Sequence, residues 1–212
     1  MTAVELPARE VERVVRQALH EDMPWGDITT DALVPADLRG TARIVAKAQG
    51  VLAGAPVAEC VFRTVDTGVS FHALKQDGSR LSPRDCIATA SGSVAGLLKA
   101  ERTALNFLQR LSGIATLTAQ YMDAVRGTAA RIVDTRKTTP GLRILEKYAV
   151  RMGGGHNHRF CLSDGVLIKD NHLLALQRRG ATLKQAVEQA RKALSHTIRI
   201  EVEAETLAQV QE

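Results

Sequence analysis

The chain has 212 residues, 45% apolar and 24% charged, with 16 Gly and 6 Pro, which is globular composition and excludes a wholly disordered, collagen-like or coiled-coil chain. Lys and Arg outnumber Asp and Glu by 28 to 23, a net charge of +5, and the length suits one or two domains. No run approaches ~18 apolar residues, so no membrane span is expected, and Met1 to Arg9 lack the apolar stretch of a signal peptide. Cys60, Cys86 and Cys161 are odd in number and form no CxxC pair, which suits a reducing, cytoplasmic compartment.

In chain order, Pro7 to His20 reads as an amphipathic helix, with Val11, Val14, Val15, Ala18 and Leu19 on one face and Pro7 at its first position. Asp22 to Asp31 reads as a polar loop. Thr41 to Leu52 alternates as a strand, with Ile44 and Ala46 on one face. A helix over Pro56 to Val65, a strand over Val69 to Leu74, an Asp77-Gly78 turn and an extended Ile87 to Leu98 complete an α+β unit. From Lys99 the texture changes. Ala100 to Leu111 and Ala115 to Arg126 read as two helices split at Ser112-Gly113. A βα repeat then emerges. Short strands are expected at Arg131–Val133 (buried), Val166–Ile168 and Ile198–Val202. A helix over about Leu142–Met152 follows the first, helices through Ser195 follow the second, and one beginning near Glu205 follows the third. Each strand delivers chargeable residues at its C-terminal end, which is the active-site face of a parallel barrel. The chain stops inside the helix after the third strand of this series, short of a closed barrel.

Charge is concentrated in this repeat. Between Arg131 and Lys169 stand eight basic residues against three acidic ones. Aromatics are only 3%, so stacking platforms for single-stranded nucleic acid are missing, and the cations sit singly at turns. In Asp134-Thr-Arg-Lys-Thr-Thr-Pro-Gly-Leu-Arg143, free N–H groups with Arg136 and Lys137 make an anion site, although solvated charges on an ordinary strand–turn–helix fit the decapeptide equally. Gly153-Gly-Gly-His-Asn-His-Arg159 permits close backbone approach to a ligand and brings His158 and Arg159 beside it, or else it is a flexible helix end. In Ile168-Lys-Asp-Asn-His172, Lys169 points from a strand end while Asp170 or Asn171 caps the next helix. Glu201 and Glu203 share a face of one strand and need cations or a metal if buried, or else they lie on a solvent-facing edge. Arg102, in Glu101-Arg-Thr-Ala-Leu-Asn106, reads as an outward helical residue.

These stretches, together with Gly26-Asp-Ile-Thr29 and Lys147-Tyr-Ala-Val150, occur in an order that resembles the quinolinate phosphoribosyltransferases (nicotinate-nucleotide pyrophosphorylases, carboxylating). The resemblance implies an α/β fold: an N-terminal α+β sandwich-like domain, here 1–112, followed by an incomplete α/β barrel begun in 113–212. Further barrel, with additional site residues, is expected beyond Glu212. It implies transfer of phosphoribosyl from phosphoribosyl pyrophosphate (PRPP) to quinolinate with decarboxylation, giving nicotinate mononucleotide, pyrophosphate and CO2 in de novo NAD biosynthesis. Mg2+ accompanies PRPP, and no protein side chain is assigned as a metal ligand. The assembly implied is a homodimer with shared active sites, or a higher oligomer. The candidate catalytic residues are Lys137, Lys169 and Glu203; the candidate substrate-binding set adds Arg102, Thr135, Arg136, His158, Arg159 and Glu201. Planar guanidinium forks suit carboxylates, so Arg136 and Arg159, with Arg102 as a third, are expected to bind quinolinate, and Lys137 and Lys169 suit phosphate or carboxylate. Glu203, with Glu201, is expected to offset positive charge growing on the ribose. The competing readings are a related barrel phosphoribosyltransferase acting on nicotinate or another acid, and a non-enzymatic basic module binding anions or nucleic acid.

Overall fold

The computed structural model describes residues 6–178 and 180–212. Two compact units emerge: the first runs to His158, the second from Arg159 to Glu212.

The first unit opens with helix α1 (Ala8–Asp22), which buries Val11, Val14, Val15 and Leu19 on one stripe. Pro7 is its N-cap rather than its first helical residue, and its carbonyl accepts from Glu10 and Val11. The expected loop over 22–31 ends early, because Asp27 caps helix α2 (Ile28–Leu33) by accepting from the amides of Thr29 and Thr30, each at 3.1 Å. Of the residues in α2 only Thr30 is buried, so no apolar periodicity announces that helix.

Strand β1 (Arg39–Val45) stops short of the expected Leu52, and β2 (Gly50–Val51) is a separate element. Helix α3 (Ala55–Val65) and strand β3 (Ser70–Ala73) follow as expected, then β4 (Arg80–Leu81) and β5 (Cys86–Ser93). Strands β1, β5 and β3 form an antiparallel sheet in that order, and β2 pairs with β4. Ile44 and Ala46 are buried as their alternation predicts.

Two helical expectations are corrected. Val94–Leu98 is not extended. Ser93 accepts from the Gly96 amide at 2.9 Å and turns β5 directly into helix α4 (Val94–Ala124). Nor is α4 split at Ser112-Gly113. Ser112 Oγ accepts from the Ala53 amide at 3.1 Å and donates to its carbonyl at 3.2 Å, while Thr116 Oγ1 accepts from the Val51 amide at 2.9 Å. A helical Gly costs about 1 kcal/mol relative to Ala. Burying Leu108, Leu111, Ala115 and Ala119 on either side of it outweighs that, at about 1.5–3 kcal/mol for each leucine. An expected domain boundary at 112/113 thus falls within a continuous helix.

Helix α5 (Arg143–Met152) brings Leu145 and Ala149 into the same core as Val15, Leu52, Val57, Val61 and Leu111. At its end, Gly153 and Gly155 lie against α4. A Cβ at Gly153 would stand 2.6 Å from Thr118 Cβ and collide with the Ala115 carbonyl, and one at Gly155 would stand 2.8 Å from Thr118 Cγ2. The close approach these glycines permit is therefore to a helix of the same chain, not to a ligand.

The expected buried strand at Arg131–Val133 is also corrected. Val133 is 51% exposed and forms a single parallel bridge with His156. The His156 amide donates to the Ile132 carbonyl and its carbonyl accepts from Asp134. Its partner is a loop leaving a helix end, so pairing stops after one residue.

The second unit contains β6 (Val166–Ile168), α6 (Asp170–Gln177), α7 (Leu183–Ala193), β7 (Ile200–Val202) and α8 (Leu207–Gln211). Strands β6 and β7 are parallel, with Val166 opposite Ile200 and Ile168 opposite Val202, as expected of consecutive βα units. Ile168, Leu173 and Ala186 form its core. Thr182 and Thr206 cap α7 and α8 in capping boxes with Gln185 and Gln209. No described helix is long and apolar enough to cross a membrane.

Candidate anion site

In the first unit the Asp134–Lys137 turn is bent by Thr135, whose Oγ1 accepts from the Lys137 amide at 3.1 Å. Lys137 is exposed and Arg136 half-buried. Arg136 Nε is inaccessible and has no hydrogen-bond partner. Four amides of the 134–143 stretch are bonded within the chain. The amides of Lys137, Thr138, Thr139 and Leu142 donate to Thr135 Oγ1, the Arg136 carbonyl, Glu146 Oε2 and the Thr139 carbonyl.

Glu146, buried on α5, anchors the turn to α4. It accepts from Arg110 Nη2 at 2.6 Å and from the Thr139 amide at 3.1 Å, and Arg110 also donates to Thr139 Oγ1. Burial pushes the Glu146 carboxyl up, but Arg110 and Thr139 outweigh it and hold the group below its ordinary value. Not every cation of the segment is available. Arg143 Nε donates to Thr138 Oγ1 at 3.0 Å. Lys147 is spent on Asp134, with Nζ and Oδ1 2.5 Å apart and side chains only 3% and 8% exposed. The other Asp134 oxygen accepts from Asn157 Nδ2 at 2.6 Å, and the His158 amide donates to Oδ1 at 2.8 Å. Sequence reading counted these residues as charges or motif letters and missed that they form one cluster.

Arg102 is exposed on α4 and lines a cavity of about 1190 Å³ with Arg43, Lys47, Glu101 and Leu105. No residue of the 134–158 segment lines that cavity.

In the second unit, Arg159 Nη1 donates to the Gly165 carbonyl at 3.0 Å, while its Nε is buried without a partner. Lys169 Nζ lies 3.4 Å from Glu203 Oε1, both about half exposed. Such an exposed pair is worth only about 0–1 kcal/mol. The Glu203 amide donates to the Ile168 carbonyl at 2.9 Å, which holds the two strand ends together. Glu201 is half-buried in β7 opposite Leu167. Lys169, not Asp170 or Asn171, is the N-cap of α6, and its amide donates to His172 Nδ1 at 2.9 Å. Among the described residues no three His, Cys, Asp or Glu gather as a metal site.

One further link is structural. Asp77, in its expected turn, accepts from the amides of Gly54 and Ala55 at the start of α3, and from Tyr148 Oη at 2.8 Å. Burial and the Asp77 charge push the Tyr148 phenol above its ordinary 10.0. Above about pH 10 the unfolded chain loses this proton while the folded one keeps it, so stability falls by up to about 1.4 kcal/mol per pH unit. Tyr148→Phe is expected to cost about 1.5–3 kcal/mol near neutral pH and to remove that alkaline slope. Urea denaturation at about pH 8 and pH 11 reads both; parallel pH dependences in the two proteins would refute it.

The fold and site define an α/β protein that presents separate, partly unpartnered cations at turns and strand ends, an anion-binding arrangement. The N-terminal domain model of quinolinate phosphoribosyl transferase matches residues 27–112, and the C-terminal domain model matches 114–212; the chain belongs to this family. It is 45% identical to a probable nicotinate-nucleotide pyrophosphorylase [carboxylating] of Synechocystis sp., over 93% of this chain and 65% of the relative. It is 46% identical to the nicotinate-nucleotide pyrophosphorylase [carboxylating] of Mycobacterium leprae, over 92% and 68%. The chain thus spans about two thirds of the length of these relatives. The crystal structure of NadC from Streptococcus pyogenes superposes with a TM-score of 0.93 at 42% identity, covering 99% of this chain and 73% of that one.

Proposed function

We propose that the chain carries out the reaction named for its family: PRPP plus quinolinate gives nicotinate mononucleotide, pyrophosphate and CO2. The observation that carries this reading is the set of cations presented at turns and strand ends, Arg136 and Lys137 in the first unit and Arg159 and Lys169 in the second, in a chain that both family models match. A planar guanidinium fork matches a carboxylate bidentately. Quinolinate has two.

We assign Arg136 and Arg159 to the quinolinate carboxylates, with His158 as a further donor, and Lys137 and Lys169 to phosphate or carboxylate oxygens. Thr135 shapes the turn that presents Arg136 and Lys137. The ring nitrogen attacks the ribose anomeric carbon as the bond to pyrophosphate breaks. Glu203, freed from Lys169 by the arriving anion, and Glu201 offset the positive charge growing on the sugar. The ring carboxylate beside the now quaternary nitrogen leaves as CO2; its bonding electrons stay on the ring carbon, which takes up a proton. Mg2+, held by the phosphates of PRPP, would supply neutralisation of their charge. The three free cysteines support a cytoplasmic setting.

Turnover measured with quinolinate and nicotinate side by side tests the reading. Release of CO2 with quinolinate is expected, and no product with nicotinate. A preference for nicotinate overturns it.

Arg102 belongs, in this reading, to the neighbouring subunit's site in a homodimer. Arg102→Ala and Lys169→Ala proteins are then each inactive. Subunit exchange leaves one intact site in every heterodimer, so a random mixture regains about a quarter of wild-type activity. No recovery after confirmed exchange refutes the sharing.

A further inference from the structure

The Asp134–Lys147 pair is a poor way to gain stability. Desolvating two charges offsets most of their attraction, and apolar residues of similar volume often serve as well. What the pair does provide is direction. Asp134 Oδ1 meets Lys147 Nζ and the His158 amide, and Oδ2 meets Asn157 Nδ2. Asn157 Nδ2 also donates to the Lys147 carbonyl at 2.9 Å. Three segments are thereby tied at one carboxylate: the turn leading to Arg136, helix α5, and the loop carrying His158. An apolar contact holds segments together but does not aim them. Hydrogen bonds to a backbone amide and to a fixed ammonium do.

Within the proposed function, we propose that the Asp134–Lys147–Asn157 cluster positions the quinolinate-binding side chains of Arg136 and His158. Arg136 follows Asp134 by two residues, and His158 follows Asn157 directly. None of the three cluster residues touches substrate in this reading; they act through their neighbours. Positioning of this kind matters because a displacement of about 1 Å at a binding group can cost roughly a hundredfold in rate.

Asp134→Asn strands a buried ammonium and risks failure to fold, so the test uses Asn157→Ala, which leaves the ion pair intact. Hydrogen exchange at the His158 amide is expected to quicken about tenfold, and KM for quinolinate to rise about tenfold, with KM for PRPP within about twofold. Asn157→Asp supplies the second arm. It sets a carboxylate against Asp134, and two such groups share one proton, so its deficit in kcat/KM for quinolinate should shrink as pH falls. A merely structural role lowers the active fraction and moves neither KM. Unchanged His158 exchange overturns the positioning whatever the assay shows. Unchanged quinolinate KM in an active variant overturns it with the activity itself intact. A wild-type protein that prefers nicotinate to quinolinate overturns the functional reading instead, and the exchange arm then decides the positioning alone.

Discussion

Lys147→Met is expected to destabilise the first unit by about 3–5 kcal/mol, the range for removing one partner of a buried ion pair. The mutation leaves the Asp134 carboxylate, 8% exposed, without its countercharge. Bonds from Asn157 and the His158 amide remain and place the effect toward the lower end. For a chain of this length that corresponds to a fall in melting temperature on the order of 10 °C. The double variant Lys147→Met with Asp134→Asn removes both charges. It keeps an acceptor for the His158 amide and should recover most of the loss. The contrast between single and double variants is the measurement, read by thermal or urea unfolding. A double variant no more stable than the single one would show that the cost came from lost lysine packing and not from a stranded charge.

Much of the fold is legible from local rules. Helix α1 declares itself because Val11, Val14, Val15 and Leu19 keep the helical period and are buried. The β6 and β7 repeat is visible as short apolar runs followed by charged ends. Two of the failures share a cause: a distant contact overruled a local signal. Ser112-Gly113 reads as a break until Ser112 is seen bonding both backbone groups of Ala53. Gly153 and Gly155 read as a ligand cradle until α4 is found lying where their side chains would be. The site divides the same way. Arg136, Lys137, Arg159 and Lys169 stand out because cations cluster at turns after strands. That Lys147 is consumed by Asp134, thirteen residues earlier and across a turn, has no periodic signature. The link from Asp77 to Tyr148, separated by 71 residues, has none either.

Arg136→Lys is expected to weaken quinolinate binding by about 1.5–3 kcal/mol, the worth of a charge-assisted hydrogen bond, or roughly 10- to 150-fold in Kd. The substitution keeps the charge and removes the planar fork, so a loss isolates geometry from Coulomb attraction. Stability supplies a second readout. Arg136 Nε is buried and unpartnered in the free protein, so replacing it removes an unsatisfied donor and should leave the melting temperature unchanged or slightly raised. Arg159→Lys makes the control. Its guanidinium also donates to the Gly165 carbonyl, so the same exchange there should cost about 1 kcal/mol of folding stability in addition to affinity. Calorimetric titration with quinolinate and thermal unfolding of both variants separate the two roles. Unchanged quinolinate affinity in Arg136→Lys sinks the assignment of that guanidinium to a carboxylate. Equal stability losses in the two variants would mean that Arg136 has a partner within the fold after all.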